Sequence, residues 1–369
     1  MEWRNPVDLL ADTSVGPIVA GLAASGVVLW ALALALRMPG IDVDPLYPDA
    51  VTPAEAAPPS GATAPPQTAG SEETPSGEGE TCPRSETIAT MSYLLGVLVD
   101  DNVWAPADPM YKIGFFGLVP FEATPWFDNQ ASFQLGALSA LRRMAVEFVD
   151  GLGRSRGTTA ADEDLQAARN ALFVSASAWR FNPFDDQAPT VGTPADKSYR
   201  DARRFLERYN ARLRDCEASF DPRSDNLFNA FDRIAKDMGG TTAELGRRSN
   251  AYEWSVEQHR VVPAEGSNAG IFDFRADNYF HEARGMMWAY HGMLRALRTD
   301  FQRVVEQRDL GEVWNRLEKH VAESILMDPW IVSNGRTDAV FMPDHLAVMA
   351  MNILRARANL TEARDILNR

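Results

Sequence analysis

Between residues 277 and 308 apolar side chains recur at helical spacing. Phe280, Ala283, Met287, Tyr290, Leu294, Leu297, Phe301 and Val304 follow one another at steps of three and four. That period lays one apolar stripe along a helix, while Arg295, Arg298, Asp300 and Arg303 fall elsewhere. Asp277 stands at the expected N-cap. A second stripe closes the chain: Leu346, Met349, Ile353, Ala356, Leu360, Ala363 and Leu367. Each of these faces needs a partner, so the pattern predicts an all-α fold, a soluble multi-helix bundle.

Weaker stripes fill the rest of the bundle. Ser85 reads as the N-cap of a first helix carrying Ile88, Met91, Leu94, Leu95 and Leu98. Further helices are predicted over 131–152, 162–179 and 199–214. Another is capped by Ser224 and bent or broken at Gly239-Gly240, and a last one runs through Val313, Trp314, Leu317, Val321 and Ile325. Residues 252–270 read as an inserted loop. Residues 331–342 read as a turn around Asn334-Gly335 where a short hairpin fits. Residues 101–128 form an aromatic-rich passage without helical period. Its Tyr111, Phe115, Phe116, Phe121, Trp126 and Phe127 either cover the core or form a candidate contact with a protein partner or membrane surface.

The amino-terminal pattern is different. Residues 16–36 carry no charge, and at about 1.5 Å per residue they span roughly 30 Å, the thickness of a hydrocarbon core. A signal peptide cleaved near Ala33-Leu34-Ala35 is the rival reading. The length of the apolar run and the acidic residues ahead of it favour an uncleaved single transmembrane helix. The expected order is a cytoplasmic segment at 1–15, the anchor at 16–37, a disordered acidic Pro/Ala-rich linker at 38–84 and a periplasmic helical domain at 85–369. The linker holds ten prolines and eight acids with no Lys or Arg before Arg84, a composition that stays extended. This arrangement implies a single-pass bacterial inner-membrane protein whose carboxyl-terminal domain faces the periplasm.

Charge adds one exclusion. Of the formal −15, the part from Arg84 onward accounts for −6, so the domain lacks the basic footprint of a nucleic-acid binder. The two cysteines, Cys82 and Cys216, lie in no zinc-type spacing; they are either unpaired thiols or a candidate disulfide closing a long loop. The five histidines complete no metal or catalytic motif. His281-Glu282 lacks the second histidine of a zincin, and no cofactor motif is present. The leading expectation is a non-enzymatic interaction or scaffolding subunit of an envelope complex. Its partners would be inner-membrane lipid and other envelope proteins, and its stripes also allow pairing between copies. One alternative is a periplasmic enzyme, for which Glu282, His291 and Asp344 are the candidate acid–base groups. Another is a lipid- or small-molecule-binding module that uses the aromatic loop beside Trp126.

Several blocks resemble one bacterial family. They are residues 125–129 (PWFDN), 225–227 (DNL), 280–289 (FHEARGMMWA) and the closing stretch 345–367. The resemblance is to single-pass proteins classed only as a domain of unknown function. It implies an anchored envelope protein and assigns no residue a role.

Overall fold

The computed structural model describes residues 20–21, 23–29, 82–108, 111, 128–153, 161–179, 192–264, 273, 275–336 and 341–369. Its contacts separate residues 1–42 from residues 43–369. In the first part the described residues, 20–21 and 23–29, are helical and exposed. Among the described residues no helix is long and apolar enough to cross a membrane. The rest of the expected anchor, the segment before it and the linker up to residue 81 lie outside the described residues.

The second part is a bundle of nine helices among the described residues, with one hairpin. Helix α1 is Glu86–Gly96, extended by a wide turn at Val97–Asp101. Helix α2 is Asn129–Glu147, with a similar turn at Phe148–Leu152, and α3 is Glu163–Leu172. Helices α4 (Ala195–Arg214) and α5 (Ser224–Ser249) follow. Strands β1 (Tyr252–Ser255) and β2 (Arg260–Pro263) pair antiparallel. Then come α6 (Ala276–Asp300), α7 (Gln302–Gln307), α8 (Gly311–Ile325) and α9 (His345–Leu367).

Helix α6 is the axis. Every position of its expected stripe is buried, and Trp288, Ala289 and Met293 are buried as well, so its middle is enclosed on all sides. Helix α2 packs closest against it, at two glycines. A Cβ on Gly136 would stand 1.8 Å from the Glu282 carbonyl oxygen, and one on Gly285 would stand 2.0 Å from that of Phe133. Only residues without a side chain permit such a backbone approach. Helices α5, α8 and α9 form a second layer, in which Phe231 packs on Trp314 at 5.1 Å. Helices α1, α3 and α4 complete the other side.

Several expectations need correction. Helix α6 stops at Asp300 instead of running to 308, because Phe301 leaves helical geometry and turns its ring into the core. Arg275 holds its N-cap position, and Asp277 sits inside the first turn. Helix α5 passes through Gly239-Gly240 unbroken. Arg357 of α9 lies over Gly239, with Nε donating to the Ala235 carbonyl at 3.1 Å. The inserted loop contains the hairpin, and among the described residues around the expected turn Asn334 forms an isolated bridge with Asp344.

The entry to the bundle is fastened at several points. Cys82 and Cys216 form a disulfide, and the Cys82 N–H donates to the Arg214 carbonyl at 3.1 Å. Asn210 accepts from the Ser85 N–H at 2.8 Å and donates to the Ser85 carbonyl at 3.0 Å. Asp300 accepts from Ser85 Oγ, Glu86 N, Thr87 N and Thr87 Oγ1 at 2.7–3.0 Å. An anion at a helix N-terminus meets the free N–H groups and the positive end of the dipole. Ser85 itself caps α1 by accepting from the Ile88 N–H.

Candidate functional site

Three features of the bundle offer chemistry beyond packing. The first is a cleft of about 590 Å³ between the end of α2 and the middle of α5. Arg143 reaches across it, with Nε 3.0 Å from Asp237 Oδ2 and Nη2 3.0 Å from Oδ1. The fully buried Tyr290 donates its hydroxyl to the same Asp237 Oδ2 at 2.6 Å. Burial, then the Asp237 charge, holds that phenol protonated far above its ordinary range. Arg233 pairs with Glu147, whose carboxyl is raised by burial and pulled back by the arginine. Lys236 at 2.7 Å and Arg364 at 2.9 Å hold Asp232 below the usual carboxylate range. These charges are matched within the cleft. Among the described residues that line it, the charged side chains are held in ion pairs.

The second feature is a carboxyl pair where the N-termini of α2 and α6 meet. Asp128 and Asp277 are both buried. Among the described residues none of their four oxygens has a hydrogen bond of full geometry, and the donors that lie nearest are the Asn278 side chain and the N–H groups of Asp277 and Asn278. Burial raises both, and the Asp277 charge raises Asp128 further, whereas the hydrogen bond from Asp128 lowers Asp277. The pair therefore holds on to a proton to higher pH than an exposed carboxylate would. Like charges in a dry site resolve their repulsion in this way.

The third feature is an exposed apolar ridge. On one face of the hairpin Trp254 stands directly opposite Val261, with Tyr252 two residues away on the same side. All three are more than half exposed. The loop leading into α9 adds Trp330 at 87% and Phe341 at 97% exposure. The two pieces adjoin: Arg336 lies 5.9 Å from the centre of the Tyr252 ring, and Asn334 Nδ2 donates to the Arg248 carbonyl at 3.0 Å. Four aromatics at this exposure present on the order of 600 Å² of surface in total. Sequence reasoning missed the ridge although its signal was present. Tyr252, Trp254 and Val256 alternate with Glu253, Ser255 and Glu257, which is the period of a strand.

The expected site residues are scattered. Tyr111 is 7% exposed and faces the protein, so it presents no surface to a partner. Phe115, Phe116, Phe121, Trp126 and Phe127 lie outside the described residues. The three acid–base candidates do not converge. Glu282 is exposed. His291 sits nine residues further along α6, about 13 Å by helical rise. It is buried with its Nδ1 unpartnered, and burial followed by the Arg295 charge lowers its pKa to about 4. Asp344 caps α9, accepting from the Ala347 N–H at 2.9 Å. Among the described residues no group of three or more His, Cys, Asp or Glu side chains is placed to hold a metal ion.

Comparison with curated proteins and with solved structures finds no match. A family model does match, over residues 117–369, which takes in the cleft, the carboxyl pair and the ridge. The chain belongs to the family described as "Uncharacterized protein conserved in bacteria" (DUF2333).

Proposed function

We propose that this protein is a membrane-tethered interaction subunit of a bacterial envelope complex. In this reading residues 16–37 anchor it in the inner membrane, residues 38–84 are the spacer, and residues 85–369 stand in the periplasm. The observation that carries it is the fastening at the bundle entry. A spacer that hung idle would need no lock where it joins the domain. Here a disulfide, the Asn210 clasp on Ser85 and four donors on Asp300 fix the end of the spacer and the first residues of the domain to α6 and to α4 and its C-terminal end. The disulfide also favours an oxidising compartment. The uncharged run at 16–36 supports the anchor, and the cleft of paired charges offers a partner protein ion pairs to exchange. The reading invokes no catalysis, no cofactor and no nucleic acid.

Crosslinking in native membranes followed by purification in mild detergent tests this reading. Defined envelope proteins should accompany the full chain, and charge reversal at Arg233 and Lys236 should reduce their recovery several-fold. A reporter fused after Arg369 should be active only in the periplasm. A chain that runs alone after crosslinking, or a reporter active only in the cytosol, would sink the proposal.

A further inference from the structure

We propose that the ridge formed by Tyr252, Trp254 and Val261 with Trp330 and Phe341 docks on the lipid headgroup–acyl boundary of a bilayer. The inference rests on the tethered reading above, which brings a bilayer within reach.

The shape of the ridge argues for lipid. Trp330 and Phe341 are almost fully exposed, and Trp254 projects from a hairpin whose strands, among the described residues, pair only with each other. A two-stranded ribbon is marginal alone and gains by laying its apolar face on something. A fluid interface closes around protruding rings. A second copy of the chain would need pockets shaped for them.

The composition agrees. Trp and Tyr have an apolar body and a polar tip, which suits the headgroup level, and Phe supplies a wedge for the acyl region. Arg336 lies beside the Tyr252 ring, while alternation turns both Glu253 and Arg260 to the opposite face of the hairpin. With so few basic residues the attraction is hydrophobic, so it should depend little on anionic lipid or salt.

The reach is sufficient. In the tethered reading residues 38–84 separate anchor from domain, and even the coil limit for that number of residues is an r.m.s. span of about 40 Å. A domain of this size has a radius of gyration of about 19 Å. A tether longer than that radius lets the ridge face turn onto the membrane.

The test uses the full chain reconstituted in phosphatidylcholine vesicles whose acyl chains are brominated near the headgroup. Of the nine tryptophans, the proposal places Trp254 and Trp330 at the bilayer, beside Trp3 and Trp30 of the anchor region. The bromine-quenched part of the emission should therefore fall about twofold in the W254F/W330F variant. Both sites are exposed, so the fold is untouched. The quenching should persist in high salt. A chain that floats with the vesicles but shows the same quenching in the variant overturns the docking and leaves the tether standing. Shielding of these two tryptophans from a soluble quencher without bromine quenching points to a second copy or a protein partner, and also overturns it. A chain that does not float with the vesicles fails the tethered reading, and the docking falls with it.

Discussion

Replacing Gly136 or Gly240 with alanine adds the same methyl group to a helix and should change stability with opposite signs. On propensity alone Gly→Ala stabilises a helix interior by about 1 kcal/mol. At Gly240 a Cβ meets nothing within 4 Å, so that gain should appear nearly whole. At Gly136 the Cβ would sit 1.8 Å from the Glu282 carbonyl oxygen, where real Cβ atoms essentially never come below 3.0 Å. The backbones of α2 and α6 would have to part by more than 1 Å along the closest helix contact in the bundle. Interiors are packed too densely to absorb this locally, so the two helices must move as units. Overpacking typically costs 1–3 kcal/mol, and a clash of backbone with backbone belongs at or above the top of that range. We expect G136A to lose about 2–4 kcal/mol net of propensity and G240A to gain up to about 1 kcal/mol. At roughly 2 °C per kcal/mol for a domain of this size, the two melting temperatures should differ by about 4–10 °C. Thermal melts by circular dichroism and urea titrations would measure this. Equal stability of the two variants, or a loss in G240A as large as that in G136A, would refute the close-approach argument.

Other perturbations probe the buried charges. Asp300→Ala strips four donors at the start of α1 of their acceptor and should cost about 2–4 kcal/mol, read as a lower urea midpoint with early hydrogen exchange at residues 85–88. Asp128 has a folded pKa above its unfolded value. Its contribution is therefore full below the ordinary carboxylate range and is lost as pH rises through the raised pKa. D128N, whose amide donates to Asp277 at any pH, should flatten that loss and leave the variant more stable than wild type above neutral pH; an unchanged pH profile would count against the shared proton. His281 and His291 have the opposite sign. Burial lowers both to about 4, so stability should fall as pH drops from about 6.5 toward 4, by roughly 3 kcal/mol for each histidine. In a pH series of urea midpoints H291Q should lose about half of that slope. Reducing the Cys82–Cys216 bridge, which closes a separation of 134 residues, should lower stability by about 2–5 kcal/mol without changing the helical signal at 25 °C.

The helical stripes were legible in the sequence because burial on one face leaves a period that needs no knowledge of the partner. All eight stripe positions between Phe280 and Val304, and all seven from Leu346 to Leu367, are buried in the bundle. The Ser85 cap was equally local, since a cap is recognised by the residues that follow it. The uncharged run, the acidic spacer and the lack of a basic footprint are properties of composition alone. Tertiary structure decided the rest, because each remaining feature joins residues far apart in the chain. Asp277 reads as a helix cap until Asp128, from another helix start, is brought against it. Asp300 reads as a surface acid on α6 until α1 places four donors around it. Gly136 and Gly285 show their purpose only when two backbones meet. The aromatic ridge was written in an alternation of period two, yet its exposure was not, because an apolar strand face looks the same in sequence whether a core covers it or water does.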